Sequence, residues 1–283
     1  MHDSDGKLCQ GEIAPIPWFG SETLSDALQF CQQQKDLITI EKIKTIPESL
    51  PACQYGFESA LLGFTDQDFS CGETLNFCYL LPSGNQVLAH DFSRQNLSAQ
   101  NPLGHNQQIA TTYKWKIGIE KASEEIAIAE KLIDQLPDNS KLRLDANGGL
   151  NLAEAKTWLN FADNRPSIEF IEQPLPPDQF EQMLELNEIY RTALALDESV
   201  ATLAQLKLCF QLGWRDIFVI KPGIMGYPSK LRSFCQQHQL DVVFSSVLET
   251  DVGLHMALQL SAELGNPQRA IGFGVKHWFR DTE

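Results

Sequence analysis

The chain has 283 residues, with 22 Lys+Arg against 37 Asp+Glu and a formal charge of −15 at pH 7. Hydrophobic residues make up 43% and charged ones 21%, a globular composition that excludes disordered, collagen-like and low-complexity classes. So acidic a chain, without a run of Lys or Arg, repels phosphate backbones, and neither nucleic acid nor membrane insertion is expected.

In chain order, Met1 to Gly6 is acidic and lacks the apolar core of a signal peptide, and no run of about 18 apolar residues follows. A cytoplasmic protein is expected. The seven cysteines, Cys9, Cys31, Cys53, Cys71, Cys78, Cys209 and Cys235, are never spaced C-x-x-C and read as small buried hydrophobes of a reducing compartment. Gly11 to Phe19 shows no helical period, Ser21-Glu22-Thr23-Leu24 opens an amphipathic helix, and Pro51 to Leu62 suggests another. Residues 1–75 are therefore expected to form a small α+β capping domain.

From residue 76 a regular beat sets in. Phe77 to Leu81, Tyr113 to Ile117, Leu142 to Leu144, Ile168 to Ile171, Leu194 to Leu196, Ile217 to Ile220, Val242 to Phe244 and Ala270 to Phe273 read as strands. Between them lie helical stripes: Ile126, Ala129, Leu132, Ile133 and Leu136 from Ala122 to Leu136; a helix capped by Asn151; then stripes marked by Met183, Leu206 and Leu231. Eight strands alternating with helices predict an α/β fold, a (β/α) TIM-type barrel over residues 76–283 whose C-terminal tail returns to the cap.

Such a barrel builds its site at the C-terminal ends of its strands. There the chain places Lys114 and Lys116, Arg143, Asp145 and Asn147, Glu172, Asp197 and Glu198, and Lys221. Asp145, Glu172, Asp197 and Lys221 follow one another at intervals of 27, 25 and 24 residues, one βα unit each. Period 2 puts Lys114 with Lys116, and Arg143 with Asp145, on one face of their strands. Three carboxylates with no His or Cys beside them suit a hard divalent cation, Mg²⁺ or Mn²⁺ in its place. An ordinary lysine is a poor base at neutral pH, and a nearby dication and second ammonium make it a better one.

At these residues the chain resembles the enolase superfamily: Lys114-Trp115-Lys116, Asp145-Ala146-Asn147, Ile171-Glu172-Gln173-Pro174, Asp197-Glu198-Ser199 and Lys221-Pro222-Gly223 fall in that family's order. Gly11-Glu12-Ile13-Ala14-Pro15-Ile16-Pro17 and Phe244-Ser245-Ser246-Val247-Leu248-Glu249-Thr250 are similar to its o-succinylbenzoate synthase branch. The resemblance implies Mg²⁺-dependent dehydration of 2-succinyl-6-hydroxy-2,4-cyclohexadiene-1-carboxylate. It implies Asp145, Glu172 and Asp197 as metal ligands, Lys116 as base and then acid, and Lys221 as a lasting cation over the ring. Lys114 and Arg143 are expected beside the dicarboxylate substrate, with Asn147 and Glu198 supporting the ligands. Ser245 and Ser246 are expected to receive the succinyl carboxylate, the alternative being a helix cap, and Gly272 to let backbone approach the ligand. An N-acylamino acid racemase or dipeptide epimerase shares these charges, and a metal-binding relic is a third reading. The resemblance implies a longer region before Gly11 than the ten residues found here, so the capping domain is expected to be incomplete, and a monomer or weak homo-oligomer is expected.

Overall fold

The computed structural model describes residues 1, 5–34, 37–63, 75–92 and 112–274; Cys71 lies outside them. The chain forms two compact units, one of Met1–Leu75, Val200–Lys207 and Ile220–Arg269, the other of Asn76–Ser199, Leu208–Val219 and Ala270–Glu283.

In the second unit the strands are β1 (Tyr79–Leu80), β2 (Thr112–Lys116), β3 (Lys141–Asp145), β4 (Ile168–Glu172), β5 (Leu194–Leu196) and β6 (Ile217–Ile220), the last residue of β6 being assigned to the first unit. Each pairs in parallel with the next. The run Ala270 to Phe273, expected as an eighth strand, is found only as an isolated parallel bridge between Phe77 and Ile271. β5 and β6 are buried along their whole length, as strands covered on both faces must be, which is why they read as continuous apolar runs. β2 alternates instead. Tyr113 and Trp115 are fully buried while Lys114 and Lys116 on the other face are only partly so.

Helices return the chain between strands. α4 (Ala122–Gln135) buries Ala129 and Leu132, and α5 (Leu152–Ala162) opens with a capping box in which Asn151 and Glu154 bond reciprocally to each other's backbone amides. α6 (Phe180–Ile189) buries Met183 and Leu186.

Among the described residues before 75, the first unit holds three α-helices: α1 (Leu24–Gln33), the short α2 (Ile40–Lys44) and α3 (Pro51–Leu62). Thr23 and Thr39 cap the first two, and the buried Glu22 carboxylate caps the third by accepting from Ala52 N and Cys53 N at 3.0 and 2.8 Å. α7 (Leu203–Gln211) begins in this unit, which also holds α8 (Pro228–His238), β7 (Val242–Phe244) and α9 (Asp251–Leu264). Glu58 on α3 accepts from Ser229 N and Oγ at the start of α8 at 2.8 and 2.7 Å. β7 follows the end of β6, where Ser245 N donates to Ile220 O at 2.9 Å. The described cysteines are free thiols, most of them buried.

Candidate active site

Parallel pairing sets the lateral neighbours of every charged residue. Lys116 stands opposite Asp145, Asp145 opposite Glu172, and Glu172 opposite Ala195, two residues before Asp197. One row at the C-terminal ends of β2 to β4 therefore carries the expected base and two of the three expected metal ligands, and Asp197 follows directly after β5, two residues beyond that row. Asp145, Glu172 and Asp197 are 2%, 2% and 3% exposed, and charges so buried need counter-charge close by.

Lys114 supplies part of it. Its Nζ lies 2.8 Å from Asp145 Oδ2 and 2.7 Å from Glu172 Oε1. Burial alone would lower this lysine, but the attraction of Asp145, Glu172 and Asp197 overrides it and holds the ammonium well above its ordinary value. Among the described residues no three His, Cys, Asp or Glu side chains converge into a ready-made metal cage. Asp145 and Glu172 are aligned by register and meet on one ammonium.

Lys116 is tied to the same row through Asn147. Its Nζ donates to Asn147 Oδ1 at 2.9 Å, Asn147 N donates to Asp145 Oδ1 at 3.1 Å, and Asn147 Nδ2 donates to Glu198 Oε1 at 3.1 Å. Asn147 sits at φ 44°, a left-handed conformation that asparagine tolerates best among residues with a Cβ. Gln173, a residue of the Ile171-Glu172-Gln173-Pro174 motif, organises the end of β5. It is fully buried at φ 38°, its Oε1 accepts from Asp197 N and Ser199 N at 2.9 and 3.1 Å, and its Nε2 donates to Ser199 Oγ at 2.7 Å. A Gln directly after the acidic strand end at Glu172 is the sequence signal that could have found it.

Arg143 is engaged elsewhere. Its Nε donates to Glu169 Oε2 and its Nη1 to Ala270 O, both at 2.7 Å, and its guanidinium lies 4.7 Å from the centre of the Phe170 ring. Gly272 follows the bridge residue Ile271 and is half-buried.

In the first unit, Lys221 follows β6 and opens the tight turn Pro222–Ile224, with its Nζ 4.1 Å from the centre of the Phe19 ring. After β7, Ser246 Oγ donates to Glu249 Oε2 at 2.7 Å and accepts from Leu248 N at 2.9 Å, while Val247 N donates to Glu249 Oε2 at 2.7 Å. Burial pushes the Glu249 carboxyl up against these bonds. The cap of α9 is not the serine pair. Thr250 accepts from Val252 N, and Glu12 Oε2 accepts from Thr250 N and Gly253 N at 2.9 Å each. Ser246 is instead folded into the turn that precedes the cap.

Residues 103–282 match the family described as Enolase C-terminal domain-like. The chain is 38% identical over 283 residues to the o-succinylbenzoate synthase of Thermosynechococcus vestitus (strain NIES-2133 / IAM M-273 / BP-1), the match covering 98% of this chain and 84% of that one. It is 28% identical to the o-succinylbenzoate synthase of Aliivibrio salmonicida (strain LFI1238), over 92% of this chain and 76% of that one. The crystal structure of the o-succinylbenzoate synthase from Thermosynechococcus elongatus BP-1, complexed with Mg in its active site, superposes with a TM-score of 0.84 at 38% identity, covering 97% of this chain and 83% of that one. The L-Ala-D/L-Glu epimerase from Bacillus subtilis, at 21% identity and a TM-score of 0.76 over 96% of this chain and 80% of that one, shares the fold. No described helix is long and apolar enough to cross a membrane.

Proposed function

Because the chain belongs to the enolase superfamily and to its o-succinylbenzoate synthase branch, we propose that it dehydrates 2-succinyl-6-hydroxy-2,4-cyclohexadiene-1-carboxylate to o-succinylbenzoate and water, a step towards menaquinone or phylloquinone. The observation that carries this reading is the row of Lys116, Asp145 and Glu172 in β-sheet register, continued by Asp197.

The donor set fits a hard divalent cation. Asp145, Glu172 and Asp197 offer only oxygen, are buried, and act together on one ammonium. Mg²⁺ bound by these three would act as a Lewis acid on a substrate carboxylate and so make the neighbouring carbon more acidic. Lys116, held by Asn147, removes the proton from that carbon and, as an ammonium, returns it to the departing hydroxyl, so that a C–H and a C–O bond break and water leaves. Lys221 remains cationic and stabilises negative charge as it develops on the ring. Gln173 fixes the backbone from which Asp197 projects, and Asn147 and Glu198 steady Lys116 and Asp145.

Lys114 and Arg143 divide the remaining positive charge, Lys114 among the carboxylates and Arg143 against Glu169. The Ser246 hydroxyl donates to Glu249 Oε2, so for Ser246 to receive the succinyl carboxylate beside Ser245 it would have to give up that bond. The test is the ultraviolet appearance of the aromatic product with Mg²⁺ supplied and then chelated. Turnover confined to racemisation of N-acyl amino acids, followed by optical rotation, overturns the proposal.

A further inference from the structure

We infer that Phe19 is a positioning residue for Lys221: its ring gives the ammonium an aromatic face that fixes its aim and supports its charge without offering it a proton acceptor. The inference rests on the function proposed above, in which Lys221 has to remain an ammonium.

The pair is non-local. Arg165 on Phe161, Arg215 on Phe210 and Lys230 on Tyr227 join residues a turn or so apart and come with helix or turn geometry, whereas Arg143 on Phe170 and Lys207 on Phe234 are, like this pair, made by the fold. Lys221 and Phe19 are brought together by the fold, with Nζ 4.1 Å from the ring centre, well inside the range of about 6 Å over which a ring face attracts a cation.

Both partners are held on one apolar cluster. Phe19 packs with Ile13, Ala14 and Ile16 against Ala52, Ile224 and Val247. The turn that opens with Lys221 abuts the same Val247, because a Cβ on Gly223 would lie only 2.6 Å from Val247 Cγ2. The loop bearing the ring is braced as well. Phe19 N donates to Ile16 O at 3.0 Å, Ile16 N donates to Ser21 Oγ at 2.6 Å, and Gly20 closes the turn at φ 118°, where a side chain is strained. Its neighbour Trp18 is 84% exposed, so the two aromatics of this loop are used in opposite senses.

A carboxylate in place of the ring would bind the ammonium more strongly and compete with an anionic substrate for it. The quadrupole of a ring covers one side of Nζ and leaves its protons directed at other acceptors.

Phe19→Leu keeps an apolar side chain in the cluster and removes the face, whereas Phe19→Tyr and Phe19→Trp keep a face. With Mg²⁺ present and the cyclohexadiene acid as substrate, Phe19→Leu is expected to lower kcat about 3- to 30-fold, with KM changed less than about two-fold and an unchanged melting temperature; the aromatic variants recover most of the loss. In protein carrying ¹³C-labelled lysine, the Cε resonance of Lys221, assigned with Lys221→Arg, shows a ring-current shift that disappears in Phe19→Leu and persists in Phe19→Tyr. Absence of that shift in the wild-type protein, or an unaltered kcat in Phe19→Leu, overturns the role of Phe19 alone. Equal losses in all three variants do the same, since they mark a packing effect. A wild-type protein that turns over no cyclohexadiene acid overturns the function and with it the role given to the pair, whatever the resonance shows.

Discussion

Two charged assemblies lie side by side on β2 to β4, and they are built on different terms. Arg143 meets one carboxylate, one carbonyl and one ring face, at 2.7, 2.7 and 4.7 Å, a set that matches its charge within the protein while its buried Nη2 has no hydrogen-bond partner among the described residues. Lys114 touches two carboxylates and feels a third. A cation matched one to one is a permanent strut. Several carboxylates gathered around one ammonium form a place where a cation of higher charge can bind, and the difference separates the wall of the fold from its chemistry.

The comparison breaks most severely if the row is not the reacting centre. Lys116→Ala is expected to lower turnover by about 10³- to 10⁴-fold, the upper range for loss of a general acid–base group, with calorimetric Mg²⁺ affinity nearly intact. Full activity in that variant removes Lys116 from the mechanism. Arg143→Met tests the strut. It leaves the Glu169 charge buried without the guanidinium and is expected to cost about 3–5 kcal/mol in urea unfolding, while Mg²⁺ affinity measured on the folded fraction stays within a few-fold. A stable variant that has lost its metal would exchange the two roles. Glu172→Gln is the complementary change. It removes a proposed ligand, and Mg²⁺ affinity is expected to fall about 100-fold, roughly 2.7 kcal/mol, with less effect on metal-free unfolding than Arg143→Met has.

How far these assemblies could be read from the sequence depends on the range of the interactions that make them. Lys116, Asp145, Glu172 and Asp197 stood out because strand ends repeat once per βα unit and the residues at them are polar among apolar runs. Their mutual register follows from parallel pairing of neighbours. The position of Lys114 between two carboxylates was not readable, because alternation gives the face of a strand but not the reach of a side chain across it. Gln173 escaped for a similar reason: its partners Asp197 and Ser199 lie one βα unit away. Glu125 looked like an ordinary polar position on α4, yet it is 1% exposed and accepts from the backbone of Gly118, Ile119 and Glu120. α2 is too short to show a period and is made by its Thr39 cap. The run at Ala270 has a strand's composition, but the described residues show only one bridge there, since composition does not count ladder hydrogen bonds.

The smallest expected effect concerns a carboxylate that belongs to neither assembly. Asp163 ends α5 and receives Thr192 N and Oγ, each at 2.8 Å, and Arg191 N at 3.0 Å. Partial burial alone would raise its carboxyl, but these bonds and the charge of Arg191 hold it below its ordinary value. With the folded value depressed, its contribution to stability is present above the unfolded value near ~3.9 and is lost as pH falls through the folded one. Lys114 has the opposite sign. Its value is raised, so its contribution is complete below the unfolded value near ~10.4 and is lost only as pH rises through the folded one. Asp163→Asn keeps an oxygen acceptor and removes the charge, so it is expected to cost about 1 kcal/mol at pH 7 and progressively less as wild-type Asp163 becomes protonated in acid. Urea midpoints compared at neutral and acidic pH measure this directly. A difference that stays constant across the acid range would mean that Asp163 acts by shape alone, and that the charged carboxylates that matter to this fold are those of the two buried assemblies.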